Sequence, residues 1–307
     1  MHTAFDQLPL NEPLGLRCAW DVLDHDLGTL ARMTPETVQR AVACVRDGTV
    51  IPLNLPVTEP DPPLFGREAI EHAIYPISRN DMDDRVDRFF PQASSQWDGL
   101  RHVRAREQGY FGGGTEDPQP GPGPLGIEKW AERGIVGRGV LVDACAYLSQ
   151  TGDYEPLRGD TITAEDLHAT IEHQGVTLQA GDVMCLRTGW IEAFRELPAD
   201  ERAALAREPR ISGLAGSEDV ARLLWDGGLI AIAADNPPVE VTPGDPKIGS
   251  LHRRLIPMLG FAIAELLDLK RLSGLCAADR RFDFLFVAAP MNLPGGVGSP
   301  ANAVAIR

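Results

Sequence analysis

Gln96, Asp98 and His102 stand at i, i+2 and i+6 within Ser94-Ser95-Gln96-Trp97-Asp98-Gly99-Leu100-Arg101-His102. Successive residues of an extended segment alternate sides, so even separations share one face. An amide, a carboxylate and an imidazole would then converge on one point, and Gln92 joins them if the strand starts that early. Three or four oxygen and nitrogen donors on one face are what a divalent metal requires. A polar strand end with a buried, hydrogen-bonded Asp fits the same residues.

The seven histidines divide into groups. His2 is terminal, His25 lies in Asp24-His25-Asp26, and His168 and His173 fall on a helix expected to be exposed. These four read as surface residues. His72 lies in a helix-like or loop segment and is a minor candidate for the site. His102 ends the opening motif, and His252 precedes Arg253-Arg254, with Glu265 further along the chain. If His252 to Leu266 is one straight helix, His252 and Glu265 point about 140° apart. They then share a metal only if His252 lies in the preceding loop.

Other chemistries lack their residues. Gly295-Gly296-Val297-Gly298 has the glycine density of a phosphate loop but no helix after it. Gly121 and Gly123 sit among prolines and fail the same test. No Gly-x-Ser-x-Gly elbow is present, and no cysteine has a histidine close in sequence. With 29 basic and 44 acidic residues, the net charge of −15 argues against nucleic acid as a partner. Five dispersed cysteines without a Cys-x-x-Cys pair indicate a reducing, cytoplasmic setting rather than a disulfide framework. Cys145 and Cys185 read as small buried hydrophobes. No basic-then-apolar leader and no apolar run of membrane-spanning length is seen, so no membrane association is expected.

The elements that must position these residues are legible in part. Apolar runs at Thr49–Leu53, Gly139–Asp143, Val183–Arg187, Leu229–Ala234 and Phe284–Ala289 predict strands covered on both faces. Thr34-Pro35, Thr163 and Ser217 are helix N-cap signals, and Trp190–Phe194 and Ala203–Ala206 look helical. From His252 to Leu266, apolar residues at 255, 256, 259, 263 and 266 form a helical stripe. Gly112–Gly126, rich in glycine and proline, predicts a long surface excursion that either folds over the site or merely connects. Pro56–Pro63 predicts a linker or rim. No composition shift marks a boundary, so one α/β domain is expected over residues 1–307.

At these residues the chain resembles the metal-dependent cyclase superfamily, which includes bacterial kynurenine formamidase and isatin hydrolase. The superfamily's His-x-Gly-Thr-His-x-Asp-x-Pro-x-His spacing falls on Gln92, Ser94, Ser95, Gln96, Asp98, Leu100 and His102. Ser95–His102 reproduces the (Ser/Thr)-Gln-Trp-Asp-Gly-Leu-x-His core of a long-chain branch. Further landmarks follow in order, from Tyr110-Phe111-Gly112-Gly113 through Ala234-Asp235-Asn236-Pro237 and Leu251-His252 to Gly296-Val297-Gly298-Ser299-Pro300. The match runs from about residue 45 onward, which leaves residues 1–45 as an N-terminal extension packing on the domain.

The resemblance implies a swivelling β/β/α-type domain with a mixed sheet and long loop insertions, usually a homodimer or homotetramer. It implies hydrolysis of an amide, lactam or ester bond of a small cyclic or aromatic substrate by metal-activated water. The metal positions fall on Gln96, Asp98, His102, His252 and Glu265, with Gln92 a second-metal or outer position. His102 or Glu265 would move the proton. Two of the motif's three histidine positions are glutamine here, and amide oxygens are harder, weaker ligands than imidazole. A single zinc or manganese site, or magnesium, fits that set. Trp97, Tyr110 and Phe111 are candidates for an apolar wall against the substrate, or ordinary core. A cyclase or dehydratase, or a catalytically silent binding member, are the alternatives.

Overall fold

The computed structural model describes residues 3–307, so His2 lies outside the described residues. One mixed sheet of nine strands organises the chain. In chain order these are β1 (Val50–Pro52), β2 (Gln96–Asp98), β3 (Ile135–Asp143), β4 (Val183–Arg187), β5 (Ala231–Ala234), β6 (Ala262–Glu265), β7 (Asp283–Ala288), β8 (Gly298–Pro300) and β9 (Ala303–Ile306). Their spatial order is β8-β2-β6-β5-β4-β3-β7-β9-β1. The four central strands, β6 to β3, run parallel, and every pairing outside them is antiparallel. The fold is α/β, as the apolar runs predict, and all five of those runs lie in the sheet.

The central strands are apolar without alternation because both faces are covered. Val183 to Leu186, Ala231 to Ala234 and Ala262 to Ala264 are all completely buried. Each larger side chain so buried contributes roughly 1.5–3 kcal/mol. Helices Pro35–Val42 and Ala164–Gln174 pack on β3, and each begins on a threonine whose hydroxyl accepts a backbone N–H of the first turn. Phe5, Leu8, Leu30 and Met33 bring the N-terminal segment into the same core.

The segment after His252 departs from the helical stripe. A short α-turn, Leu251–Arg253, runs into a π-helical stretch, Arg254–Met258, and the helix ends before Gly260. Gly260 takes φ +63°, and a Cβ there would meet the Phe111 ring at 2.7 Å. Only glycine fits that turn. The chain then reverses into β6, so Ala262–Glu265 is strand rather than helix. His252 and Glu265 therefore sit on different elements.

The segment holding His72 also differs from expectation. Glu71–Pro76 and Met82–Asp87 form an antiparallel hairpin, neither helix nor loop, exposed along nearly its whole length. His72 pairs with Asp84 at 2.9 Å there, away from the sheet. Cys185 is buried, but Cys145 is only half-buried, on the first turn of helix Ala144–Thr151. The Gly112–Gly126 excursion is tied to the loop before β8 through Gly121 N–H to Pro294 O, and Glu128 accepts from the N–H groups of Gly123 and Gly295.

Candidate metal centre

Strand β2 is three residues long, and its register fixes the site. Gln96 lies opposite Glu265 and Asp98 opposite Ile263 on β6, while Asp98 faces Gly298 on β8. Directly opposed residues of an antiparallel pair share a face. Gln96, Asp98 and Glu265 therefore project together from one side of the sheet, all buried. Gln96 Nε2 donates to Glu265 Oε2 at 2.8 Å, locking that cross-strand pair.

His252 stands over this face from the turn Leu251–Arg253, which Ser250 caps. Its Nε2 is 3.1 Å from Glu265 Oε1 and 3.6 Å from Asp98 Oδ2. Asp98, His252 and Glu265 each offer a ligand atom within 4.8 Å of the others. His102 approaches the other carboxylate oxygen, with Nε2 3.6 Å from Asp98 Oδ1. It does not get there by strand alternation. The strand stops at Asp98, and a turn in which His102 N–H donates to Gly99 O brings the ring back. Its side chain keeps 27% exposure.

Three residues without a sequence signal complete the site. Glu240 Oε1 accepts from His252 Nδ1–H at 2.8 Å, and its carboxylate also accepts from Ser250 Oγ and the N–H groups of Leu251 and His252. The adjacent Val239 N–H donates to Glu265 Oε1 at 2.8 Å. Residues 239 and 240 thus orient both His252 and Glu265. Arg67, half-buried, adds positive potential at Asp98 and Glu265.

The charges follow from this packing. Burial would push Asp98 up, but His102, His252 and Arg67 outweigh it and hold the carboxyl below its ordinary range. Burial would likewise lower His252, yet the Asp98 carboxylate 3.6 Å away and its hydrogen bonds to Glu240 and Glu265 raise it well above an ordinary imidazole. Glu240, pushed up by burial, is held low by His252 and the backbone donors.

The donor set fits a divalent cation. Both Asp98 oxygens and Gln96 Oε1 are buried without a hydrogen-bond partner among the described residues. A buried carboxylate left without hydrogen bonds is strongly unfavourable, and a cation satisfies such oxygens. Two carboxylates, one imidazole and one amide oxygen form a mixed set suited to zinc or manganese.

The aromatic candidates lie elsewhere. Trp97 points from the opposite face of β2 into the core, fully buried, edge-on to Trp130 and Phe286, with Nε1–H donating to Ala301 O. It packs the sheet and cannot touch a substrate. Phe111 is equally enclosed and supports the Gly260 turn. Tyr110 is half-buried, and Asp117 of the Gly/Pro-rich excursion helps to push its hydroxyl up after burial. Gln92 lies in a turn before β2 rather than on the strand, and it returns to the site by folding over Gly298. A cavity of ≈ 510 Å³ lined by Glu59, Arg88, Phe90 and Arg195 reaches Ser95, just before β2, but none of Asp98, His252 and Glu265 lines it.

Comparison with known proteins places the chain. The model of the cyclase family matches residues 51–241, more than half of the sequence. The chain belongs to the cyclase family. The matched segment holds Gln92, Gln96, Asp98, His102 and Glu240, while His252 and Glu265 come from the part beyond it. A solved structure of a novel cyclase is 28% identical, with TM-score 0.79, covering 92% of this chain and 97% of its own. Isatin hydrolase A from Labrenzia aggregata, solved with benzyl benzoate, is 17% identical with TM-score 0.59, covering 87% and 95%. A predicted metal-dependent hydrolase from Bacillus stearothermophilus is 18% identical with TM-score 0.52, covering 85% and 99%. These last two share the fold of this cyclase-family chain. No curated protein matches it.

Proposed function

We propose that this protein is a metal-dependent hydrolase that cleaves an amide, lactam or ester bond of a small cyclic or aromatic substrate. The observation that carries this reading is the Asp98 carboxylate, buried without hydrogen-bond partners and flanked by His102 and His252. Asp98, His252 and Glu265 would hold the cation, with Gln96 Oε1 turned to the same point. A divalent cation held there, zinc or manganese first and magnesium next, would supply a lowered pKa for water and polarisation of a carbonyl oxygen.

The roles of the chain's own groups follow from their partners. Both Glu265 oxygens are engaged, one by Val239 N–H and His252 and the other by Gln96 Nε2. Glu265 therefore holds rather than shuttles. His102 is the one of the two proposed proton carriers with solvent access, and its Nε2 bears no short hydrogen bond among the described residues. It accepts a proton from the attacking water and returns it to the leaving nitrogen or oxygen. The isatin hydrolase name of a solved structure with the same fold supports the cyclic, aromatic substrate class.

The free cysteines support a reducing, cytoplasmic setting. Among the described residues, no helix is long and apolar enough to cross a membrane. A second copy of the chain is the proposed macromolecular partner, as homodimer or homotetramer.

The test is a panel of N-formyl-arylamines, cyclic imides and aromatic lactones, offered to protein loaded with manganese or zinc. At least one should turn over, lose turnover on chelation and regain it when metal returns. Stoichiometric metal with no turnover across the panel contradicts the reading.

A further inference from the structure

Four buried side-chain atoms without a hydrogen-bond partner among the described residues cluster near β2: both Asp98 oxygens, Gln96 Oε1 and Gln92 Nε2. Three are acceptors, which a cation satisfies. The fourth is an amide donor, and a cation repels its hydrogens. A buried donor left unpaired is unfavourable, so Gln92 calls for an acceptor oxygen that a ligand brings.

A missing side chain puts the amide there. Gly298 lies directly opposite Asp98, so any side chain at 298 would stand beside Asp98 on the same face. Gln92 fills that slot instead. A Cβ on Gly298 would sit 2.5 Å from Gln92 Nε2, and the Gln92 side chain reaches it from a turn outside the strand. The glycine thus makes room for a donor beside the buried acceptors.

We propose that the Gln92 amide N–H donates a hydrogen bond to the carbonyl oxygen of the substrate, holding it beside Asp98, and is not itself a metal ligand. The inference rests on the hydrolase reading and narrows its ligands to those presenting an acceptor oxygen next to the cation.

Calorimetry with Mn²⁺, followed by acetohydroxamate as the carbonyl-bearing probe, separates the roles. Gln92→Met removes donor and acceptor together. Gln92→Glu keeps the shape and removes the donor, which covers the case where Gln92→Met fails to fold. In either variant Mn²⁺ affinity should not fall by more than about threefold, while hydroxamate affinity drops about tenfold, the worth of one hydrogen bond. A tenfold or larger loss of Mn²⁺ affinity in Gln92→Met makes Gln92 a ligand and overturns the inference. Unchanged hydroxamate affinity in a folded Gln92→Glu variant also overturns it, while leaving the hydrolase reading intact. Absence of Mn²⁺ binding by the wild-type protein overturns both.

Discussion

Glu240 and His252 are joined by a 2.8 Å hydrogen bond in which the imidazole Nδ1–H donates to Oε1. That bond fixes the ring's orientation and leaves Nε2 as the atom facing Asp98 and Glu265. Carboxylates behind ligating histidines typically tune metal affinity 10–100-fold. Glu240→Ala should therefore weaken Mn²⁺ binding by about that factor, with the circular dichroism spectrum preserved. Glu240→Gln, which can still accept from Nδ1–H, should recover part of the loss. Equal Mn²⁺ affinity in wild type and Glu240→Ala, by calorimetry, would remove Glu240 from the site.

The metal-free protein should show a defined pH dependence of stability. His252 is raised in the folded state, so its contribution is complete below its unfolded value of about 6.5 and is lost as pH rises through the folded value. Asp98 and Glu240 are depressed, so theirs is present above about pH 4 and is lost as pH falls through their folded values. Stability of the chelator-treated protein should be greatest in the mildly acidic range and decline toward alkaline pH. Urea midpoints across that range check this, and His252→Gln should flatten the alkaline limb.

Trp97 tests the division between the two faces of β2. Fully buried between Trp130 and Phe286, it is a packing residue. Trp97→Ala should cost about 3–5 kcal/mol in a denaturant titration. Trp97→Phe should retain metal affinity. A surviving fold with metal binding lost in Trp97→Phe would show that the site depends on the indole directly.

The exposed hairpin makes a prediction about assembly. His72, Ile74, Pro76, Met82, Asp84 and Val86 share one of its faces, and Ile74, Met82 and Val86 are exposed. An isolated two-stranded hairpin is marginally stable in water. Light scattering should give a dimer or tetramer, and Ile74→Asp with Met82→Lys should shift it to a smaller species. A monomeric wild-type protein contradicts the proposed self-association.

How far the sequence carried this picture depends on whether a residue's position is set locally. The five apolar runs and the capped helices are local signals, and they reappear with small shifts in their bounds. Gln96 and Asp98 share a face because two-residue alternation is itself local. His102 was in phase only on a strand extended past Asp98, whereas a turn at Gly99 brings it back. Glu265 was a candidate, but its place on a strand was hidden because residues 255, 256, 259, 263 and 266 imitate a helical stripe across the break at Gly260, where backbone conformation and the Phe111 ring decide the path. Glu240 and Arg67 carry no motif. Only tertiary packing brings an acid twelve residues before His252 onto its ring.

The central claim is that Asp98, His252 and Glu265 hold a divalent ion. Metal analysis of protein purified without chelator tests it most directly, comparing wild type with Asp98→Ala and His252→Ala of preserved circular dichroism. The account predicts about one equivalent in the wild type, as a preformed site of deprotonated ligands should bind, and little or none in either variant. Unchanged occupancy in both variants, or a wild type that takes up no metal when supplied with Mn²⁺ or Zn²⁺, would contradict it.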